Sequence, residues 1–505
     1  MADTQTSLRS AGWVSLWSFA QLIVQFGFQV VLAKHFGASA DMDAFVAAIA
    51  LPTVLSSIFV GSLGYAFVPV LTERLSADDP VKARATANSV LTVLVAGTVS
   101  LSTAVSLLAR PLTGILYPGF SVEQSEVTAQ LVAILAWLIF TNGSLAYSQA
   151  VHHCHRHFII PAIAPVVGTG ATLVAAIMWQ DSGIVAIGYA VLLGSIVAAA
   201  IQILFPLRGF RLKFEFDDAA KRCFRLMVPL ICGAAYFRLD PLVDRHLASS
   251  LATGSVSHLG YASRLVTALL LISTSGLSVV AFPNLAMQRA TGRLDAFRAE
   301  VAHAVRCLCV ILPPIAVGLA CYSKWVIRDL FQRGEFTATD TRAVATLLTL
   351  YLGMVIAAAF GEIATKVFFA LSDTRTPTII GCAGFTLGVI LKVALTPSLG
   401  VAGIVIATSL YYMANVATMA VLIVRRLGSD ALSGMPGSLV RSLLASTCAV
   451  VVAFPIARLG IPFGSIIGAA CGAAVYVVVM TLERDEFAMR FFRMLTNRGG
   501  NDSKA

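Results

Sequence analysis

The chain has 505 residues, of which 58% are hydrophobic and only 12% are charged, and its mean hydropathy is +0.84. Soluble globular domains carry about 25% charged residues, so the composition excludes a water-soluble body of this size. The formal net charge of +10 is spread over loops between apolar stretches, which gives nucleic-acid binding no support.

The apolar stretches predict an all-α polytopic membrane protein of about fourteen transmembrane helices, since a span needs roughly 20 apolar residues. The first stretch, Ala11 to Ala33, exceeds the 7–15-residue core of a signal peptide and is assigned as a span. The predicted organisation is an N-terminal lobe of helices 1–6 over 1–207, a cytoplasmic linker over 208–224, a C-terminal lobe of helices 7–12 over 225–427, helices 13 and 14 over 428–482, and a cytoplasmic tail over 483–505.

The basic residues indicate the orientation of the chain. With the N-terminus inside, the inner loops receive most of the Lys and Arg residues, including the stretch Arg208 to Arg225 and the tail from Arg484 to Lys504. This bias follows the positive-inside rule. We therefore expect a multi-pass protein of the bacterial inner membrane with both termini in the cytoplasm.

The sequence compares well with itself at an offset of roughly 215 residues, a period that indicates an internal repeat. The matches, in order, are Ala66-Phe67-Val68-Pro69 with Val280-Ala281-Phe282-Pro283, the segment 116–120 with 330–336, and Pro161 with Pro377. Each copy holds about six spans, an even number, so both copies have the same orientation. A parallel repeat about an axis along the membrane normal, with a cavity between the lobes, is typical of a transporter.

Polar side chains in the first span form one stripe, Ser18, Gln21, Gln25 and Gln29, at helical spacing. Such amides can join helices by hydrogen bonds. A stripe over two turns favours the other interpretation, in which the glutamines line the cavity.

The seventh span carries the densest charge. Arg238, Asp240 and Asp244 flank Pro241, which should break the helix. Ionisable groups at bilayer depth cost about 2.5–3.5 kcal/mol on insertion scales, so each is a functional hypothesis. Broken helices are where repeat transporters place ion and substrate sites, and we predict a cavity role for these three residues.

Four further charges lie in the second half of the chain. Arg264 falls in the eighth span, Glu362 and Lys366 lie four residues apart in the tenth, and Lys392 is alone in an apolar run. Glu362 and Lys366 could form a structural bridge or serve the cavity. Lys392 needs a carboxylate partner, for which we hypothesise Asp244.

No catalytic constellation appears, so we expect neither an enzyme nor a cofactor. The histidines between His152 and His157 are predicted to occupy a solvated cytoplasmic loop rather than a metal site. The nine cysteines fall in or beside apolar runs and indicate neither disulfides nor zinc.

A family resemblance spans nearly the whole chain. It is carried by Phe36-Gly37-Ala38, Asp43-Ala44-Phe45, Pro52, Ala66-Phe67-Val68-Pro69, Ile160-Pro161-Ala162, Pro165, Gly254-Ser255-Val256-Ser257, Tyr261-Ala262, Arg264-Leu265, Gly334, Phe336-Thr337, Asp373 and Thr376-Pro377. With these residues the sequence resembles the MviN/MurJ lipid II flippases of the MOP exporter superfamily. The resemblance implies a fourteen-helix, two-lobed flippase that moves a polyprenyl-pyrophosphate-linked saccharide by alternating access. It also implies that Asp43 and Arg264 serve the cavity.

The resemblance further implies roles for the charges found above. Arg238, Arg264, Lys366 and Lys392 would offer positive charge to a pyrophosphate, and the glutamine stripe and Asp43 would complete the substrate site. Asp240, Asp244, Glu362 and Lys392 would form an ion-coupling or charge-relay group. At the position of Lys392 relatives usually have Asn or an acid, and its ammonium could replace a bound cation, so sodium dependence is not expected.

The sequence departs from the family at four positions. Typical members carry arginines where this chain has Leu22, Phe28, Ser56 and Ser57. The expected partners are a lipid-linked glycan, membrane lipids and cell-envelope biosynthesis proteins. Because the four arginines are missing, three alternatives to lipid II transport stay open. They are transport of another lipid-linked oligosaccharide of the exopolysaccharide or O-antigen type, antiport of a drug or cation, and a non-transporting scaffold role in a cell-envelope complex.

Overall fold

In the computed structural model the described residues are helical almost throughout. The structure describes residues 2–77, 79–204, 206, 218–458 and 464–482, and within them no strand occurs. The predicted tail and the part of the predicted linker over 208–217 lie outside the described residues, as does the basic segment Arg484 to Lys504. The prediction of an all-helical, polytopic membrane protein is confirmed.

The chain divides into two compact units, one of Met1–Ser257 with Arg333–Phe336 and one of His258–Gln332 with Thr337–Ala505. Helices of the first unit are α1 (Ala2–Phe36), α2 (Ala40–Ser76), α3 (Pro80–Leu107), α4 (Ala109–Leu116), α5 (Val122–Leu135), α6 (Leu138–Cys154), α7 (Ile159–Met178), α8 (Ile184–Ile203), α9 (Asp218–Arg238) and α10 (Asp240–Ser249). Helices of the second unit are α11 (Ser255–Ala290, which starts in the first unit), α12 (Leu294–Phe331), α13 (Ala338–Ala370), α14 (Arg375–Leu399), α15 (Val401–Leu427), α16 (Met435–Arg458) and α17 (Gly464–Leu482). The lobe boundaries inferred from the sequence stay a prediction.

Eleven helical segments of the described chain are long and apolar enough to cross a membrane. Three more follow the order of the predicted spans: the pair α9 and α10, the long helix α11, and α17, whose apolar part is Ile467–Leu482. In the pair, a break and several charged side chains interrupt the apolar run. The helix order is therefore compatible with the fourteen predicted spans, of which eleven meet the length and hydropathy of a membrane span.

The backbone repeats with the sequence. Helix α5 begins with a cap in which Ser121 Oγ accepts from Gln124 N–H, and α13 begins with the same cap in the second copy, from Thr337 to Asp340. Non-glycine residues with positive φ occur at Arg156 and Ser372, which are also equivalent positions of the two copies. Each pair sits at the same point of its copy, so the internal repeat is a repeat of structure.

The core of the first unit is built around α2, which packs against α5, α6 and α9. Helix α2 starts where Ser39 caps Met42 N–H, a usual N-terminal signal. Phe67 is fully buried and stacks on Tyr147 with ring centroids 5.4 Å apart. In the second unit, α12 packs against α13 and α16, and α13 against α15.

Candidate transport site

A buried carboxylate joins the start of α2 to the start of α11. Asp43 is 2% exposed. Its Oδ2 accepts from Gly254 N–H at 2.6 Å, and its Oδ1 accepts from the N–H and hydroxyl of Ser257 at 2.6 and 2.5 Å. The three donors, two of them backbone N–H groups at the start of α11, satisfy both oxygens of the carboxylate. Asp43 therefore bonds to the protein's own backbone, within the first unit, at a site remote from it in sequence.

A second contact lies beside this carboxylate in the same unit. Glu335 N–H donates to Lys34 C=O at 2.9 Å. Gly334 and Gly37, both with positive φ, lie so close to Lys34 and Glu335 that a Cβ on either would overlap a carbonyl oxygen. Only glycine fits such an approach without displacing the backbone.

The repeat makes this contact twice. Gly119, the equivalent of Gly334 in the first copy, lies against the backbone of Ser249 and Ser250, and Ser249 is the equivalent of Lys34 in the second copy. His246 Nδ1 lies 2.8 Å from Leu116 C=O next to it. Each half of the sequence repeat therefore places the loop after its third span on the end of the first span of the other half. We call the contacts of Asp43, Gly119 and Gly334 the seam, and the predicted orientation puts it on the outer side.

The glutamine stripe of α1 is only partly accessible. Gln29 is buried, while Gln21 and Gln25 are half-buried. Helix α1 packs against α7, so burial of Gln29 agrees with the helix-joining interpretation for that residue. Gln21 and Gln25 keep accessible surface, and their cavity role stays a prediction.

The predicted break in the seventh span is confirmed. Helix α9 ends at Arg238, and α10 starts at Asp240 with Pro241 in its first turn. Arg238 is exposed, Asp240 is half-buried and Asp244 is buried. The break separates an accessible cation from a buried carboxylate. Their proposed roles in cargo binding and ion coupling are not tested by this placement.

The charges of the second unit have different surroundings. Arg264 is exposed on α11. Lys366 Nζ lies 3.1 Å from Glu362 Oε1, and the two side chains are 18% and 48% exposed, so the bridge forms but stays accessible. Lys392 is fully buried, with its ammonium 5.7 Å from the centroid of the Tyr411 ring, a cation–π geometry.

Two of the four positions at which the family usually has arginine are closed to cargo here. Phe28 and Ser56 are buried, and Ser56 Oγ donates to Pro52 C=O at 2.7 Å. Leu22 and Ser57 are half-buried. A phenyl ring and a hydroxyl carry no charge, so the two spans offer no cation at these points, and burial keeps both side chains from the cargo.

One expectation about the histidines is wrong. His152 does not lie in a solvated loop but is fully buried within α6, with Nε2 3.0 Å from Gln202 C=O. Helix α6 continues to Cys154, because no glycine or proline interrupts it at the histidines. His155 and His157 are exposed.

Two contacts of Asp340, at the start of α13, are not predicted by the sequence analysis. His258 Nε2 lies 2.8 Å from Asp340 Oδ1, and both side chains are largely buried. Asp340 also closes a capping box with Thr337 at the start of α13. The Thr-x-x-Asp spacing could have revealed the box, but not the histidine that joins it.

An apolar cavity of about 440 Å³ opens between α11, α12, α16 and α17. Its wall on α12 runs from Val310 to Val326, about 24 Å at 1.5 Å per residue. Asp329 Oδ2 accepts from Ser465 N–H at 3.0 Å, which joins α17 to the end of α12. Tyr476 OH donates to Val310 C=O at 2.7 Å near the other end. The cavity suits a long hydrocarbon chain rather than a polar ligand.

The fold and the seam define a class of protein: a polytopic α-helical protein built from a parallel six-span repeat. In each copy the loop after the third span contacts the end of the first span of the other copy. Among solved structures, one described as "Lipid II flippase MurJ, inward closed conformation" is similar with a TM-score of 0.81 and 21% identity, over 96% of this chain and 99% of that one. An inward-facing multidrug resistance MATE family transporter of the MOP superfamily is similar with a TM-score of 0.68 and 14% identity, over 82% and 96%. At these identities the likeness concerns the fold alone.

Sequence comparison identifies the family. Residues 32–467 match the family model described as Lipid II flippase MurJ, so the chain belongs to that family. A probable lipid II flippase MurJ of Haemophilus influenzae is 27% identical over 70% of this chain and 74% of its own length. One of Rhizobium meliloti is 29% identical over 76% and 74%. The resemblance inferred from the sequence is confirmed.

Proposed function

We propose that this protein flips a polyprenyl-pyrophosphate-linked saccharide, lipid II in the first place, across the bacterial inner membrane. The observation that carries the proposal is the family match over residues 32–467. The repeated seam supports it, because a contact made by both halves of the repeat is what one side of an alternating-access transporter needs in order to close. The activity is transport rather than catalysis.

The chemistry of the cargo fits two regions of the chain. Exposed or half-buried cations at Arg238, Arg264 and Lys366 can attract a pyrophosphate, with Gln21 and Gln25 available to sugar hydroxyls. The cavity between α11, α12, α16 and α17 offers a dry wall to an isoprenoid tail. The charged headgroup and the hydrocarbon tail would thus contact different residues, as a lipid-linked saccharide requires.

In this proposal, alternating access depends on the opening and closing of the seam. Asp43 stabilises the seam-closed state through the start of α11, and loss of these bonds would let that side open. In the proposed orientation, with both termini in the cytoplasm, the seam closes the outer side. Asp240, Asp244, Glu362 and Lys392 are proposed to couple this change to charge movement, with Lys392 paired to Asp244, and envelope-biosynthesis proteins are the proposed partners.

A second cargo is favoured by one observation. Phe28 and Ser56 are buried where the family usually has arginines, so these positions supply no charge to a pyrophosphate. A lipid-linked glycan with a different saccharide, of the exopolysaccharide or O-antigen type, is therefore the alternative cargo. Nothing in the described part of the chain favours a drug antiporter or a scaffold over these two.

Complementation separates the two cargoes. The chain is expressed in a strain depleted of its lipid II flippase, next to Asp43→Asn and to Asp41→Asn as a matched control, because Asp41 is exposed in the same first turn of α2. Growth with the parent and Asp41→Asn but not with Asp43→Asn supports lipid II flipping. If none restores growth although all are present in the membrane, lipid II is not the cargo, and glycan export becomes the next assay.

A further inference from the structure

A second apolar groove lies in the other half of the second unit. It has a volume of about 360 Å³ and is formed by α12, α13 and α15 together with Leu432 and Met435, which follow α15. Its wall on α13 runs from Gly353 to Val367, about 21 Å at 1.5 Å per residue. One leaflet is about half of the roughly 30 Å hydrocarbon core, so the groove can hold one acyl chain along a leaflet.

The groove lies away from the proposed cargo site. At 3.6 residues per turn, its residues Ile356, Phe360 and Val367 lie roughly 120° to 160° around α13 from Glu362, with which Lys366 pairs. If that ion pair faces the cargo cavity, as proposed above, then the groove faces the bilayer. It ends at Leu432 and Met435, beside the loop that the positive-inside rule assigns to the cytoplasm.

A basic side chain marks this end of the groove. Arg298, Val301 and Val305 share one face of α12, because they are spaced three and four residues apart, and both valines line the groove. The guanidinium of Arg298 is bonded to Asp295 at 3.0 Å, but its Nε is buried and has no hydrogen-bond partner among the described residues. The Arg298 side chain as a whole is 30% exposed, so its guanidinium is accessible to an acceptor at the surface. Its position one turn beyond Val301 is where a lipid phosphate would lie.

A second cation lies across the same end. The side chain of Arg306 packs against Gly434, the residue before Met435, where a Cβ would come within 3.1 Å of Arg306 Cδ. The absence of a side chain at Gly434, which has φ +75, makes room for the guanidinium stem. Two arginines, Arg298 and Arg306, thus flank this end of the apolar groove.

We propose that this groove is a binding site for an anionic glycerophospholipid of the cytoplasmic leaflet. One acyl chain lies between α13 and α15, and the phosphate accepts from Arg298 and Arg306. Anionic lipids are enriched in that leaflet, and each basic residue near its surface contributes about 1 kcal/mol. The site is separate from the cavity proposed for the isoprenoid tail. It needs the orientation proposed above, but it does not need the protein to transport lipid II.

The test measures which lipid the full-length protein retains. Protein purified in an equimolar mixture of phosphatidylglycerol and phosphatidylcholine with identical chains is analysed by native mass spectrometry. Arg298→Gln should lower the ratio of bound phosphatidylglycerol to phosphatidylcholine by about fivefold, the equivalent of about 1 kcal/mol. Arg342→Gln is the control, since Arg342 is exposed near the opposite end of α13, away from the proposed phosphate, and should leave the ratio unchanged.

Filling the groove tests its apolar part. Ala417 lines the groove from α15 and is exposed, so Ala417→Phe should displace both lipids without disturbing the core. Ala414→Phe, exposed on the same helix outside the groove, should not. Equal ratios for wild type and Arg298→Gln, or equal lipid retention in the two phenylalanine variants, would overturn the proposal. Displacement of phosphatidylglycerol by equimolar polyprenyl phosphate would also overturn it, by assigning the groove to the cargo.

Discussion

Replacing Asp43 with asparagine tests how the seam is held. The change keeps the size of the side chain and one carbonyl-type oxygen, so that oxygen can still accept from Ser257. It turns the other oxygen into an NH2 group, which faces the Gly254 N–H that Oδ2 now accepts at 2.6 Å. Two donors then oppose each other, and the negative charge at the start of α11 is lost.

The expected cost follows from these contacts. A hydrogen bond to a charged group contributes about 1.5–3 kcal/mol, and the charge at a helix N-terminus contributes about 0.3–1 kcal/mol more. We expect the seam-closed state to lose about 2–3 kcal/mol relative to an open one. At 1.4 kcal/mol for each factor of ten, the ratio of closed to open protein should fall roughly 30- to 150-fold.

Cysteine labelling measures this ratio in cells. Val256 lies in the first turn of α11 and is 1% exposed, so Val256→Cys reports opening when the nine native cysteines are replaced. In the Asp43→Asn background, a membrane-impermeant maleimide should label it at least tenfold faster than in the parent. Asp41→Asn should leave the rate unchanged. Equal rates in the Asp43→Asn and Asp41→Asn backgrounds would show that the carboxylate does not hold the seam.

Three further outcomes are expected. Gly119→Ala and Gly334→Ala should each reduce transport and the melting temperature, because the added Cβ would overlap the backbone of the facing segment. Gly114→Ala is the control, since a Cβ there would meet open space. Equal transport activity of all three variants would refute the close approach. Lys392→Met should abolish transport and lower the melting temperature, because it leaves the buried Asp244 carboxylate without the cation proposed to pair with it; an unchanged melting temperature would contradict the pairing. Hydrogen bonds from Thr376 and the adjacent Arg426 lower the pKa of Asp373 to about 2, so its contribution to stability is present above the unfolded pKa of about 3.9 and is lost as pH falls towards 2. Asp373→Asn should therefore lower the melting temperature more at pH 5 than at pH 2, where the carboxyl of the folded protein is about half protonated.

The fold could be predicted because it depends on signals that are local in sequence. Runs of about 20 apolar residues identify spans without any knowledge of packing, and the repeat was visible at Pro161 and Pro377. The helix break near Pro241 follows from proline chemistry alone. The end of α6 could not be predicted in the same way: the histidines from His152 to His157 suggest a solvated loop, whereas in the structure His152 is buried and its Nε2 lies 3.0 Å from Gln202 C=O, fifty residues away in sequence.

The candidate site was predicted less completely, because function here depends on pairs distant in sequence. Asp43 was singled out as a residue of the substrate site, but its partners Gly254 and Ser257 lie on the far side of the predicted linker. Those two residues were recognised as family matches without a physical reason for them. The structure supplies the reason, since one carboxylate needs their N–H groups. Lys392 stands out in the sequence because it is a single charge in an apolar run. In the structure its ammonium lies 5.7 Å from the centroid of the Tyr411 ring, a contact that the sequence does not reveal.

Reconstitution of the purified chain tests the proposed function most directly. Proteoliposomes are prepared with fluorescent lipid II, and a membrane-impermeant quencher reports the fraction in the outer leaflet over time. We predict that the protein equilibrates lipid II between the leaflets, and that Asp43→Asn slows this while Asp41→Asn does not. Lipid II that stays in its original leaflet with folded, correctly inserted protein would contradict the proposal for lipid II, and another polyprenyl-pyrophosphate-linked glycan would then be tested in the same vesicles.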